Sequence, residues 1–201
     1  AADDDERLEE ILMENGRYNP ILFEIPNTPK PLRKSPNLVC AAAYYGALKV
    51  LRFLFQANIN PIITDSRGRS IAHYAVYSGK VETLEFLSGM GLSLDVSSNN
   101  LKTPIHIAAK HGHIDLCQYL WASGVDLKQY DKKGMQPIHC ALINGQFKTV
   151  EFLEVAGCSL EDKMMNKSNL YITAIRRNRF DALSYLIQRG IPQTQCEAGN
   201  F

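Results

Sequence analysis

Histidine recurs at a fixed interval at His73, His106 and His139, while His111, His113 and Cys117 crowd one short stretch. Imidazole and thiolate are the common ligands of zinc and the common bases and nucleophiles of hydrolases, so these residues are weighed first. Zinc sites in which cysteine takes part rest on closely spaced pairs. The five cysteines, Cys40, Cys117, Cys140, Cys158 and Cys196, are scattered along the chain at wide and uneven spacings, with no CxxC among them. They read better as small apolar core residues of a chain kept in a reducing compartment, cytoplasmic or nuclear. No GxSxG, GxxxxGK(S/T), HExxH or paired-carboxylate constellation is present, so nucleophile, phosphate-cradle and metalloprotease readings all lack residues. The expectation is a protein that is not an enzyme and takes no metal or cofactor.

The interval reaches far beyond histidine. Leu54, Leu87, Leu120, Leu153 and Leu186 form one column; Ala42, Ala75, Ala108, Ala141 and Ala174 form a second; Phe53, Phe86, Tyr119, Phe152 and Tyr185 form a third. Small alanines let helices approach closely, and leucine beside an aromatic ring fills a neighbour's groove, so the columns are core seams. Each unit opens on Asn37, Ser70, Thr103, Gln136 or Asn169, four of them strong N-caps, and Pro104 and Pro137 follow at the first helical position. At the far end of that helix come Gly46, Gly79, Gly112, Gly145 and Asn178, and a second apolar stretch ends at Asn58, Gly91, Gly124, Gly157 or Gly190. Glycine and asparagine tolerate the left-handed backbone that closes a helix, so each unit is two short antiparallel helices. Asp65-Ser66-Arg67-Gly68 and Asp131-Lys132-Lys133-Gly134 carry turn chemistry and suit hairpin-like loops between units.

Bulk composition names no partner. The 201 residues hold 22 Lys and Arg against 21 Asp and Glu, with 45% apolar and 21% charged residues, an ordinary globular balance. The longest nearly uncharged apolar run, Leu38 to Leu48, contains a glycine and falls short of the roughly 18 residues of a membrane span. The opening Ala-Ala-Asp-Asp-Asp-Glu has the wrong charge for a secretory or transit leader, and the chain reads as trimmed or as a fragment.

The stretches TPIHIAAKHGHIDLCQYLWASGVDL, from Thr103, and QPIHCALINGQFKTVEFLEVAGCSL, from Gln136, resemble ankyrin repeats. The resemblance covers residues 37–190, with the Thr-Pro-x-His-x-Ala opening eroding in the outer units. It implies an all-α solenoid of units 37–69, 70–102, 103–135, 136–168 and 169–190. Residues 1–36 are expected to add a capping helix over 5–15 and a Pro-rich extended segment, and 191–201 a short tail. It also implies that the recurring histidine braces its helix start. Adjacent units would hold these rings roughly 10 Å apart, too far to share a metal whose bonds to nitrogen are about 2 Å.

Proteins resembling ankyrin bind mainly through the hairpin tips and the exposed end of each first helix. Those positions hold Arg33, Lys34, Arg67, Arg69, Lys102, Lys110, Lys132, Lys133, Lys163, Arg176 and Arg177 and no acidic residue, where about three acids would fall by chance. Tyr44, Tyr45, Tyr77, Tyr130, His111, Asn99, Asn100, Asn144 and Asn166 join them. Glu82, Glu85, Asp115, Glu151, Glu154 and Asp181 fall on the second helices, while Asp65 and Asp131 dilute the patch from within the loops. A non-catalytic interaction module, a monomer that takes an acidic segment of another protein on this face, is the expected function. Two alternatives use the same residues differently: anionic lipid or nucleic acid on the basic patch, or a targeting segment of a larger enzyme. The pI of about 7.8 disfavours nucleic acid, whose binding domains usually exceed about 9.

Overall fold

The computed structural model describes residues 38–161 and 169–192. Ten helices lie among these residues, with no strand. They pair as α1 (Leu38–Tyr45) with α2 (Leu48–Gln56), α3 (Ile71–Tyr77) with α4 (Val81–Gly89) and α5 (Pro104–His111) with α6 (Ile114–Ala122). The series continues with α7 (Pro137–Ile143) and α8 (Phe147–Val155), then α9 (Leu170–Arg176) and α10 (Phe180–Gln188). The proposed cap over 1–36, the opening Asn37 and the tail beyond 192 lie outside the described residues.

The helix ends follow the repeated turn residues. All ten Gly and Asn positions adopt positive φ, between 52° for Asn178 and 92° for Gly157. At the close of each second helix the residue after the turn donates its N–H back to the leucine column: Ile59 to Leu54, Leu92 to Leu87, Val125 to Leu120, Cys158 to Leu153 and Ile191 to Leu186, at 2.9 to 3.1 Å. This is the bond pattern of a Schellman cap, so one leucine supplies both a core side chain and the carbonyl that ends its helix. All five leucines are completely buried.

The alanine column does the same for the first helices. Ala47, His113, Gln146 and Arg179 donate to the carbonyls of Ala42, Ala108, Ala141 and Ala174 at 2.8 to 3.1 Å. With alanine at the close approach, the first helices of units one to four pack closely along the stack, whereas the second helices touch more sparsely. A stack tighter on one side curves towards that side, which makes the first-helix face concave. Successive hairpins are tied at their tips by backbone bonds from Asn99 N to Arg67 O (2.8 Å) and from Lys132 N to Asn100 O (2.9 Å).

Candidate functional site

The recurring histidines are bracing residues. The Ser70 backbone N–H donates to His73 Nδ1 at 3.1 Å, which fixes that nitrogen as the acceptor and leaves the proton on Nε2. Nε2 then donates to the carbonyl of Lys102, 2.7 Å away in the next hairpin. His106 repeats the pattern with Thr103 N (3.2 Å) and Met135 O (3.1 Å), and the Gln136 N–H donates to His139 Nδ1 at 3.1 Å. Burial holds His73 below the usual imidazole range and lowers His106 to about 4. As neutral rings that fasten a helix start to the following hairpin, His73 and His106 have no lone pair to offer a metal or substrate.

Cys40, Cys117, Cys140 and Cys158 are reduced and buried, and burial pushes the thiols of Cys117 and Cys140 up to about 12 and about 11. Thiolates of Cys117 and Cys140 do not form at neutral pH, so both are poor nucleophiles. Among the described residues no cluster of three potential metal ligands occurs.

The candidate binding residues divide three ways. Arg67, Lys132, Lys133, Asn99 and Asn100 stand exposed at the hairpin tips, and Tyr45, Lys110, His111, Arg176 and Arg177 are exposed at the ends of the first helices. Tyr44, Tyr77 and Tyr130 are half-buried beside them, and Asn144 spends its amide on the Cys140 carbonyl at 2.7 Å. Arg33, Lys34, Lys163 and Asn166 lie outside the described residues. The acidic Glu82, Glu85, Asp115, Glu151, Glu154 and Asp181 sit on the second helices α4, α6, α8 and α10.

Arg69 requires a correction. It was expected on the open face, yet only 8% of it is exposed. Its Nε donates to Asp65 Oδ2 at 2.8 Å, its Nη2 donates to the Tyr74 hydroxyl at 2.8 Å, and that hydroxyl donates to the same Asp65 oxygen at 2.9 Å. The guanidinium also lies over the Tyr74 ring, 4.7 Å from its centre. Desolvation alone would raise the Asp65 carboxyl, but the backbone and side-chain bonds from Arg69 overcome it and hold the group below its ordinary range. Lys102 is partly diverted too, its ammonium lying 3.5 Å from Asp131 Oδ2. Sequence position gave both residues a place at a hairpin base but not the carboxylate beside it.

One feature escaped the sequence reading. Rings from three successive units touch in file: Tyr44 to Tyr77 with centres 5.6 Å apart, then Tyr77 to His111 at 5.3 Å, with Tyr45 edge-on to Tyr44 at 5.1 Å. The signal was present as Tyr44 and Tyr77 at one helix-end register, with His111 one residue beyond it in the third unit.

Stacked helix pairs joined by tip-linked hairpins, with a side-chain-rich concave face and no catalytic constellation among the described residues, define a repeat-type binding scaffold. The comparisons agree. A family model described as ankyrin repeats in three copies matches residues 90–164, and another, ankyrin repeats in many copies, matches residues 39–87. The chain belongs to the ankyrin repeat family, whose members generally mediate protein–protein interaction and are generally non-catalytic. No curated protein sequence gives a significant match. Among the described residues no helix is long and apolar enough to cross a membrane.

Proposed function

We propose that the protein holds an acidic segment of a partner protein along its concave face. Lys110, Arg176 and Arg177 on the first-helix ends and Arg67, Lys132 and Lys133 on the tips supply the charge, with the tyrosines beside them. One observation carries the reading. The two hairpin carboxylates Asp65 and Asp131 each accept backbone N–H groups of their own turn, while the other acids named above sit on the second helices. The outward field there is cationic although the chain carries a net charge of only +1. Such a field speeds the approach of an anionic partner, and arginine adds bidentate carboxylate contacts.

The test is a titration of labelled polyglutamate peptide against the quadruple variant Lys132→Glu, Lys133→Glu, Arg176→Glu, Arg177→Glu and, separately, Glu82→Lys with Glu85→Lys. The first set should weaken binding about tenfold or more and flatten its salt dependence, and the second should leave both unchanged. Equal losses from both sets, or binding to phosphatidylserine vesicles in preference to peptide, would overturn the proposal.

A further inference from the structure

The concave face changes character along its length. At the same two end positions of the first helices the residues run Tyr44 and Tyr45, Tyr77 and Ser78, Lys110 and His111, Ile143 and Asn144, Arg176 and Arg177. Rings dominate the first three units, and the cations fall in the third and fifth.

In the ring half, the contacts already described make one file. Neighbouring centres only 5.1 to 5.6 Å apart leave no gap into which a cationic head could insert between ring faces. With its rings tilted 39° and 67° to one another and partly exposed, the file offers ring edges and faces against which one more aromatic side chain can pack.

In the cation half, Lys102, Lys110 and Arg177 converge from three different units. Arg177 reaches back from the fifth unit to the hairpin preceding the fourth, its Nη2 lying 3.7 Å from Met135 Sδ. Lys110 is held below the usual ammonium range by burial and by the positive charges of Lys102 and Arg177. Asp131 is the carboxylate at this place. Its Oδ1 is occupied by the backbone N–H groups of Lys133 (2.8 Å) and Met135 (3.0 Å), which leaves Oδ2 facing Lys102. Three cations against one carboxylate leave two positive charges in excess, complementary to two neighbouring acidic side chains.

We infer that this face recognises a two-part linear segment of a partner, one aromatic side chain on the Tyr44, Tyr77 and His111 file and a pair of adjacent carboxylates at Lys102, Lys110 and Arg177. The inference rests on the acidic-segment reading above and adds to it a second anchor and a spacing. The middle of the file lies at the second unit and the middle of the cation group at the third, where Lys110 stands and to whose Asp131 and Met135 Lys102 and Arg177 reach. Packed helices stand about 8 to 10 Å apart, so this one-unit step corresponds to about three residues of extended chain.

The experiment uses the full chain and fluorescence-labelled peptides of Gly, Ser and Gln carrying one Trp and one Glu-Glu pair. The Trp and the pair are adjacent or separated by three or ten residues, in both orders. With three residues between them, one order should bind about tenfold more tightly than the other spacings, and replacing Trp by Ser should remove that advantage. His111→Ser, at an exposed ring, and Tyr77→Ala, checked for a retained thermal transition because Tyr77 also packs on the core, should each abolish the Trp effect while leaving the Glu-Glu effect. Affinity that follows the Glu pair but ignores Trp and spacing overturns the two-part inference and leaves the acidic-segment proposal standing. Affinity that follows Trp but ignores the Glu pair overturns the acidic-segment proposal itself. No saturable binding of any peptide up to about millimolar concentration, the weak end of the affinity scale, overturns both.

Discussion

The hairpin at Asp65 and the hairpin at Asp131 are the same turn in backbone terms and opposite in their handling of charge. In each, the aspartate Oδ1 accepts two backbone N–H groups, from Arg67 and Arg69 in one and from Lys133 and Met135 in the other. In each, the aspartate N–H also donates to the carbonyl four residues on, at 3.0 and 2.9 Å. The second carboxylate oxygen separates them. Asp65 Oδ2 is saturated by Arg69 and Tyr74 of its own and the next element, whereas Asp131 Oδ2 faces one ammonium at 3.5 Å from the preceding hairpin. Met135 occupies the place that Arg69 holds in the first hairpin. One hairpin closes its charge internally, and the other leaves cations uncompensated on the concave face. A repeat can thus keep its backbone device and still vary the charge it presents.

The sharpest way to break this comparison is to remove each carboxylate. Asp65→Ala strands a nearly buried guanidinium and should cost about 3 to 5 kcal/mol, the range for a buried pair that loses one partner. Asp131→Ala removes a cap and a weak ion pair and should cost about 1 to 2 kcal/mol. Urea unfolding measures both. Equal losses would mean that the shared Oδ1 cap, not the Arg69 and Tyr74 network, dominates both hairpins. Asp131→Ala should also tighten polyglutamate binding, because it removes the negative charge nearest Lys102.

These two hairpins also show how far the sequence could be read. Register and residue type placed all ten left-handed turns and the buried leucine and alanine columns, while the aromatic column, read as a third core seam, is only half-buried. Arg69 was misassigned because exposure at a hairpin base depends on what packs beside it. The i to i+4 placement of Asp65 and Arg69 hinted at a pair, but Tyr74, which completes the triad, belongs to the following helix. The ring file was missed as a unit because its members come from three successive repeats and meet only through stacking.

Acid should act on the Ser98 and Asp131 hairpins through the histidine braces that hold them. His73 holds the carbonyl of Lys102 and His106 holds that of Met135, both as neutral rings. An unfolded histidine titrates near 6.5, and the folded ring of His106 at about 4. A depressed folded value means that the stability is complete above about 6.5 and is lost as pH falls from there towards about 4, with about 3 kcal/mol at stake for His106. Urea midpoints measured between pH 7 and 4 should fall across this window, and His106→Gln should flatten the fall. A pH profile unchanged by that substitution would place the acid sensitivity elsewhere. The Asp65 carboxyl, lowered from about 3.8, loses its contribution only at still lower pH, so the two effects separate.

The Ser98 hairpin, which lies between those at Asp65 and Asp131, is the least bonded of the three, and it permits the smallest and most selective test. Ser98 replaces the aspartate and gives Lys102 N a single bond at 3.2 Å, while Leu101 stands where the other hairpins have Gly68 and Gly134. All three residues adopt positive φ, 54° for Leu101 against 70° and 68° for the glycines. A leucine held there carries roughly 1 to 2 kcal/mol of steric strain, whereas glycine brings an entropic cost of about 0.5 to 1 kcal/mol. Leu101 is 49% exposed, so removing its side chain sacrifices little burial. Leu101→Gly should therefore raise stability by about 0.5 to 1 kcal/mol, seen as a higher urea midpoint at unchanged slope. Gly68→Ala should move the midpoint the other way, since its new methyl would lie 2.9 Å from the backbone nitrogen of Asn99 as well as at positive φ. Opposite signs for the two substitutions would show that the three turns impose one backbone demand and differ only in how well their residues meet it.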